Sequence, residues 1–293
     1  TALSIVLISL IACMMAQIPI SVAMGVDMTN PTYWGAISLQ IISSLVIFGG
    51  AILLSTIPMY GKFSRIQGNR RISILTIIVA ITTILIAGYL TEWGAYFNKI
   101  VIDHFGMQSS TQTQQTIIEL ESLLIDMSTP QGIAMSILVV GILPAILEEA
   151  YFRGLLQKGM SRVINYRNTH LPILLTATLF SLIHGDMTMF VPRLILGIVL
   201  GTIYARTHNL WACIIAHVAN NIGVLIAIAL SGMTTMEFLQ NQKIENPGPI
   251  APILSLFLVV FLLSYIRMTC LNTPIEKIFE RIKYLIEKKY GDE

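Results

Sequence analysis

The chain has 293 residues, 55% of them apolar and 12% charged, with a net charge of +2 and a mean hydropathy of +0.75. Soluble domains carry about 25% charged residues, so this composition excludes an ordinary water-soluble enzyme. Three cysteines, Cys13, Cys213 and Cys270, lie in apolar runs without CxxC spacing, which argues against a zinc knuckle or a disulfide framework.

Taken in chain order, stretches free of Asp, Glu, Lys and Arg cover residues 1–26, 28–61, 72–91, 127–147, 168–185, 207–235 and 246–266. Residues 187–205 are interrupted only by Arg193. A helix needs roughly 20 residues to cross the ~30 Å hydrocarbon core, and most of these runs reach that length. None alternates as the ~10-residue strands of a membrane barrel do. The expected fold class is all-α, a polytopic transmembrane helical bundle of about eight spans. It is expected to form a single integral membrane domain over residues 1–293. Residues 1–26 lack a basic n-region and outrun the core of a signal peptide, so they are read as a retained span.

Net charge says little about partners here, because placement matters more than balance. The loop 61–71 carries Lys62, Arg65, Arg70 and Arg71 with no acid, which assigns it to the cytoplasm. The connection 92–126 sets one lysine, Lys99, against Glu92, Asp103, Glu119, Glu121 and Asp126, and is expected outside. Lys158, Arg162 and Arg167 mark the next inner loop. Both termini are then cytoplasmic. Residues 113–127, "TQQTIIELESLLIDM", predict a short external amphipathic helix. Residues 273–290, "TPIEKIFERIKYLIEKKY", predict a C-terminal amphipathic helix on the cytoplasmic membrane surface or on the protein's own loops.

Ionisable groups inside spans are costly and often mark function. They are Glu148, Glu149, Arg153, His184, Asp186, Arg193 and His217, with Asn220 and Asn221 adding hydrogen-bonding capacity. Glu148 lies ~15 Å from the cytoplasmic boundary at Lys158, His184 ~21 Å from that at His170, and His217 ~14 Å from that at His208. The three are expected to meet at one depth, in a cavity open toward the cytoplasm or to lipid. Glu149 and Arg153 share a face at i and i+4 and can form an ion pair, while Glu148 points ~100° away. An unpaired glutamate beside histidines suits general-base chemistry. His217 and Asn221, also i and i+4, can donate to an oxyanion.

Each group alone has a structural reading. The Glu148–Glu149 pair can cap a helix or form a salt bridge, His217 can be a packing residue, and Asp186 with Arg193 can brace a hairpin. The coincidence of three polar clusters at matched depth favours a site. HExxH, a GxSxG turn and paired aspartates are all absent.

"EEAYFR" (148–153), "FSLIH" (180–184) and "HVANN" (217–221) resemble the EExxxR, FxxxH and HxxxN motifs of the CPBP family. That family comprises the type II CAAX prenyl endopeptidases and their bacterial Abi-like relatives. The likeness centres on residues 130–235 and extends to "RTHNLWACIIAHVANN" (206–221). It implies an intramembrane endopeptidase in which Glu148 and His184 activate water and His217 and Asn221 hold the oxyanion. Glu149 and Arg153 would order the site. No cofactor is required by that reading. The alternative is Zn²⁺ on Glu148, His184 and His217. Expected partners are membrane lipid and a peptide or membrane-protein substrate, with no nucleic acid. The expected location is a bacterial cytoplasmic membrane. A non-proteolytic scaffold or bacteriocin-immunity factor of the same fold is the rival, and a proton-coupled transporter the least favoured.

Overall fold

The computed structural model describes residues 2–23, 25, 32–57, 72–106, 111–164, 170–241 and 244–270. Among these, α1 spans Ala2–Ala23, α2 Tyr33–Thr56, α3 Ile74–Phe105, α4 Thr111–Leu124 and α5 Pro130–Val163. They are followed by α6 His170–Ile183, α7 Phe190–Thr207, α8 Leu210–Ser231, α9 Thr235–Gln240 and α10 Ile250–Cys270. No strand occurs among the described residues. Seven helices are long and apolar enough to cross a membrane, and α6 is a shorter apolar helix of 14 residues. The all-α polytopic bundle expected from the charge-free runs is therefore what forms. The basic loop 61–71 and the C-terminal amphipathic segment 273–290 lie outside the described residues.

Local signals set the helix ends. Thr32, Ser73, Thr129 and Asn209 each accept a hydrogen bond from an N–H of the first turn of α2, α3, α5 and α8. Pro130 fills the first position of α5, where its missing N–H costs nothing. Gly106 and Gly232 close α3 and α8 at φ 65° and 68°, the left-handed conformation that glycine adopts without a Cβ clash.

Two clusters form the interior. Ile84, Ala87, Leu200, Ile203, Cys213 and Ile266 join α3, α7, α8 and α10. Val6, Leu10, Phe48, Tyr151, Phe152 and Phe180 join α1, α2, α5 and α6. Tyr151 Oη donates to the Val6 carbonyl at 3.0 Å, so even this buried hydroxyl is answered. The three cysteines are buried small core residues and form no disulfide with one another.

The ends of the bundle differ in charge. Lys158 and Arg162 in the last turns of α5, Arg206 in α7 and Arg267 in α10 belong to one end, where Arg206 Nη1 donates to the Leu263 carbonyl at 2.6 Å. Glu119 and Glu121 of α4, Asp126, Asp186 and Glu237 of α9 belong to the other. There Thr235 Oγ1 donates to the Ile125 carbonyl at 2.8 Å, and Ile125 packs on Leu225 and Ile228.

Residues 92–105 depart from expectation. Instead of opening a loop at Glu92, α3 runs on to Phe105, for 32 residues or ~48 Å. The segment holds no helix breaker before Gly106, and Trp93 and Phe97 stack at 5.8 Å on its surface. Asn98 anchors the extension by donating to the carbonyls of Met187 and Thr188 at 2.9 and 2.7 Å. The amphipathic helix expected over 113–127 appears as α4, beginning at Thr111 and ending at Leu124.

The α4–α5 link carries a pH-sensitive contact. Asp126 accepts from Ser128 N and Oγ at 2.9 and 2.5 Å and from Thr129 Oγ1 at 3.0 Å. The Ser128 hydroxyl and amide hold its carboxyl below the ordinary range. A depressed folded-state pKa contributes stability above the unfolded value, and that contribution fades as pH falls through the folded value. Asp126→Asn is therefore expected to lower the thermal midpoint at pH 7, and the gap from the parent is expected to narrow as pH falls through the folded carboxyl's depressed range.

Candidate active site

The long helix α5 departs from regular α-helix twice. Wide π-helical turns occupy Ile137–Ile142 and Ala150–Gln157, on either side of the α-helical turns Leu143–Glu149. Pro144 lacks the N–H that would continue the ladder, which accounts for a loosened turn before it. Such turns recur at functional sites because they redirect side chains. Here they bracket the two glutamates.

Glu149 is wholly buried. Its Oε1 accepts from Arg153 Nη1 at 2.7 Å and from His217 Nδ1 at 2.9 Å. The Glu149–Arg153 pair expected from spacing forms, and His217 from α8 joins it. Arg153, equally buried, also donates through Nη2 to the Gly197 carbonyl at 3.1 Å. Its guanidinium stands 5.1 Å from the Phe180 ring centre, in cation–π range. One turn on, Gln157 Nε2 donates to the Gly201 carbonyl at 2.8 Å.

Glycine is needed at both carbonyls. A Cβ at position 197 would stand 2.9 Å from Ala177 Cβ and 3.0 Å from its Cα, and one at 201 would stand 3.0 Å from Gln157 Oε1. Gly197→Val is therefore expected to push α6 from α7 and cost about 1–3 kcal/mol, measurable as a lowered unfolding midpoint. Gln157, Gly197 and Gly201 were not singled out in the sequence. Their signal was a matched spacing of four, Arg153 and Gln157 against Gly197 and Gly201.

Phe180 of α6 is the hub of the site. Its ring lies 5.0 Å from His184 and 6.1 Å from His217, edge to face. His184 follows the last turn of α6, and its Nδ1 is 2.7 Å from the Phe180 carbonyl. A carbonyl only accepts, so Nδ1 carries the proton and neutral His184 presents a lone pair at Nε2. The same reasoning applies to His217, whose Nδ1 faces a carboxylate. His184 lies within electrostatic reach of Glu148, Arg193 and His217.

Glu148 is 8% exposed, and among the described residues its carboxylate accepts no hydrogen bond. The two adjacent glutamates thus differ: Glu149 is engaged from two sides, while Glu148 keeps its lone pairs beside His184. Asn221 of α8 donates weakly through Nδ2 to the carbonyls of Val140 and Gly141, at 3.3 and 3.4 Å. Its Oδ1 accepts from Asn220 Nδ2 at 3.3 Å. Asp186 and Arg193 pair at 3.2 Å, bracing the α6–α7 hairpin as expected.

The histidine tautomers are those of metal-binding imidazoles, with Nδ1–H directed at a carbonyl or a carboxylate. Yet among the described residues no three His, Cys, Asp or Glu side chains stand close enough to hold one ion. Glu148, His184 and His217 as placed do not form a zinc ligand set, and no step below is routed through a metal.

Comparison with known proteins bears on this geometry. The family model described as type II CAAX prenyl endopeptidase Rce1-like matches residues 130–223, from the start of α5 into α8. The Bacillus subtilis (strain 168) protein named "Putative membrane peptidase YdiL" is 25% identical over 193 residues, covering 66% of this chain and 70% of that one. No solved structure matches. The family match contains all three motifs, in order, on the helices that bring their side chains together. Both likenesses support assignment of the chain to the CPBP family, the type II CAAX prenyl endopeptidase-like membrane peptidases.

Proposed function

We propose that the protein is an intramembrane endopeptidase in which Glu148, assisted by His184, activates a water for attack on a peptide carbonyl. The observation that carries this reading is the asymmetry of the glutamates. A base must keep a lone pair for the proton it takes, and Glu148 has one free in a buried setting, while Glu149 is consumed by Arg153 and His217. His184 Nε2 accepts one hydrogen of the water and turns its oxygen toward the substrate.

The steps balance as follows. Glu148 takes a proton from water, the water oxygen bonds to the carbonyl carbon, and the carbonyl electron pair moves to oxygen. Asn221 Nδ2 retains a hydrogen for that oxyanion. His217 keeps its Nδ1–H on Glu149 and, once Nε2 has taken up a proton from solvent, donates that second N–H to the oxyanion and retains it throughout. Protonated Glu148 then gives its proton to the amide nitrogen as the carbon–nitrogen bond breaks. Glu149, Arg153 and Phe180 act through His217 and His184 as positioning residues.

The test is a comparison of purified parent and His184→Ala in vesicles, with peptide products read by mass spectrometry and folding by thermal midpoint. Loss of the water-orienting imidazole is expected to slow cleavage about 100-fold with the midpoint retained. Full cleavage by a folded His184→Ala would sink the assignment. Prolonged chelation is expected to leave the parent's rate unchanged. A loss restored by Zn²⁺ would instead make Glu148, His184 and His217 ligands.

A further inference from the structure

Glu149, Arg153 and Gln157 follow one another at intervals of four on α5, and all three are buried. The last two cross to α7, where Arg153 Nη2 donates to the Gly197 carbonyl at 3.1 Å and Gln157 Nε2 to the Gly201 carbonyl at 2.8 Å. Gly197 and Gly201 are likewise four apart, so the two bonds are rungs between matched turns of neighbouring helices. One rung fixes a point of contact. Two fix both the rotation of α5 and its register along α7.

Stability does not explain the second rung. Gln157 Oε1 has no hydrogen-bond partner among the described residues. A buried acceptor left unanswered costs more than one neutral hydrogen bond contributes. Methionine has nearly the same length and would fill this space without that cost. The amide is therefore poor packing, and what it supplies is direction. Gln157 is the last residue of the widened turn Ala150–Gln157, and regular α-helix resumes at Lys158. Wide turns are rare and short, so an anchor from a neighbouring helix at the end of one settles how the residues within it project.

Arg153 lies within that turn, four residues before the anchor. Its Nη1 and His217 Nδ1 share one acceptor, Glu149 Oε1, at 2.7 and 2.9 Å. A guanidinium that turns with α5 draws this carboxylate away from His217, and the imidazole is then free to carry its proton on Nε2 instead. We propose that Gln157 is a positioning residue: through the Gly201 rung it holds Arg153, and through Arg153 and Glu149 it keeps the proton of neutral His217 on Nδ1. The effect on cleavage rests on the proteolytic reading, and the effect on His217 does not.

Three variants separate this role from packing. Gln157→Met keeps the length without the donor, and Gln157→Asn keeps the amide one methylene short of the carbonyl. Gly201→Ala brings a Cβ to 3.0 Å from Gln157 Oε1 and displaces the amide while Gln157 itself is intact. Nuclear magnetic resonance on protein labelled with heavy nitrogen in histidine reports which ring nitrogen of His217 carries the proton, its signal assigned by loss in His217→Gln. The Nδ1–H form is expected to dominate in the parent and the Nε2–H form to rise in all three variants. Their cleavage is expected to fall about tenfold in kcat with KM unchanged, as a small misplacement in an oriented site does. The thermal midpoint of Gln157→Met should stay near the parent's, since the unanswered Oε1 is removed with the donor. A folded Gln157→Met whose His217 signal matches the parent's overturns the proposal. So does a lowered midpoint with an unchanged His217 signal in Gln157→Asn and Gly201→Ala, which would make Gln157 a packing residue. A tautomer shift in a parent that cleaves nothing would sink the catalytic reading and leave the role of Gln157 standing.

Discussion

Replacing Arg153 by alanine is expected to lower the unfolding free energy by about 3–5 kcal/mol, because it leaves a buried carboxylate uncompensated. Arg153 and Glu149 are both fully buried, and the guanidinium also serves the Gly197 carbonyl and the Phe180 face. His217 then remains as a partner of Glu149 Oε1, while Oε2 accepts no hydrogen bond among the described residues. The cost should therefore fall when the charge it strands is removed as well. The double variant Glu149→Gln/Arg153→Met is expected to be more stable than Arg153→Ala alone, though cleavage stays low because His217 loses its carboxylate. Equilibrium unfolding in mild detergent checks both values. An Arg153→Ala protein as stable as the parent would mean that the pair is solvated.

Exchanging Glu148 for glutamine is expected to give the opposite profile. The amide has nearly the shape of the carboxylate but no basic lone pair at neutral pH, and general-base catalysis contributes about 10²–10⁴-fold. That corresponds to roughly 3–5 kcal/mol of barrier. Stability should hold, since no hydrogen bond to Glu148 is broken and a buried charge is removed. Glu149→Gln, one residue away, should lose stability and cleavage together. The contrast separates a reacting carboxylate from a structural one.

The sequence made the membrane class legible because crossing helices need long uncharged runs, and these recur throughout. It also exposed the Glu149–Arg153 pair, because i and i+4 place two side chains on one face even where α5 widens into a π turn. The Asp186–Arg193 brace followed from charge neutralisation at depth. Three features were hidden for physical reasons. His217 reaches Glu149 across 68 positions of chain, a contact that periodicity within one helix cannot reveal. The continuation of α3 to Phe105 was masked by Glu92, Lys99 and Asp103, charges that end a span but not a helix. The early end of α6 before His184 was concealed because apolar composition continues to the turn.

The central claim is that Glu148 is the base. It is tested most directly by the cleavage rate per folded molecule of Glu148→Gln beside the parent, in the same vesicles and with the same peptide. The expected result is a loss of at least about 100-fold with an unchanged unfolding midpoint. A folded Glu148→Gln that cleaves at the parent's rate would contradict it.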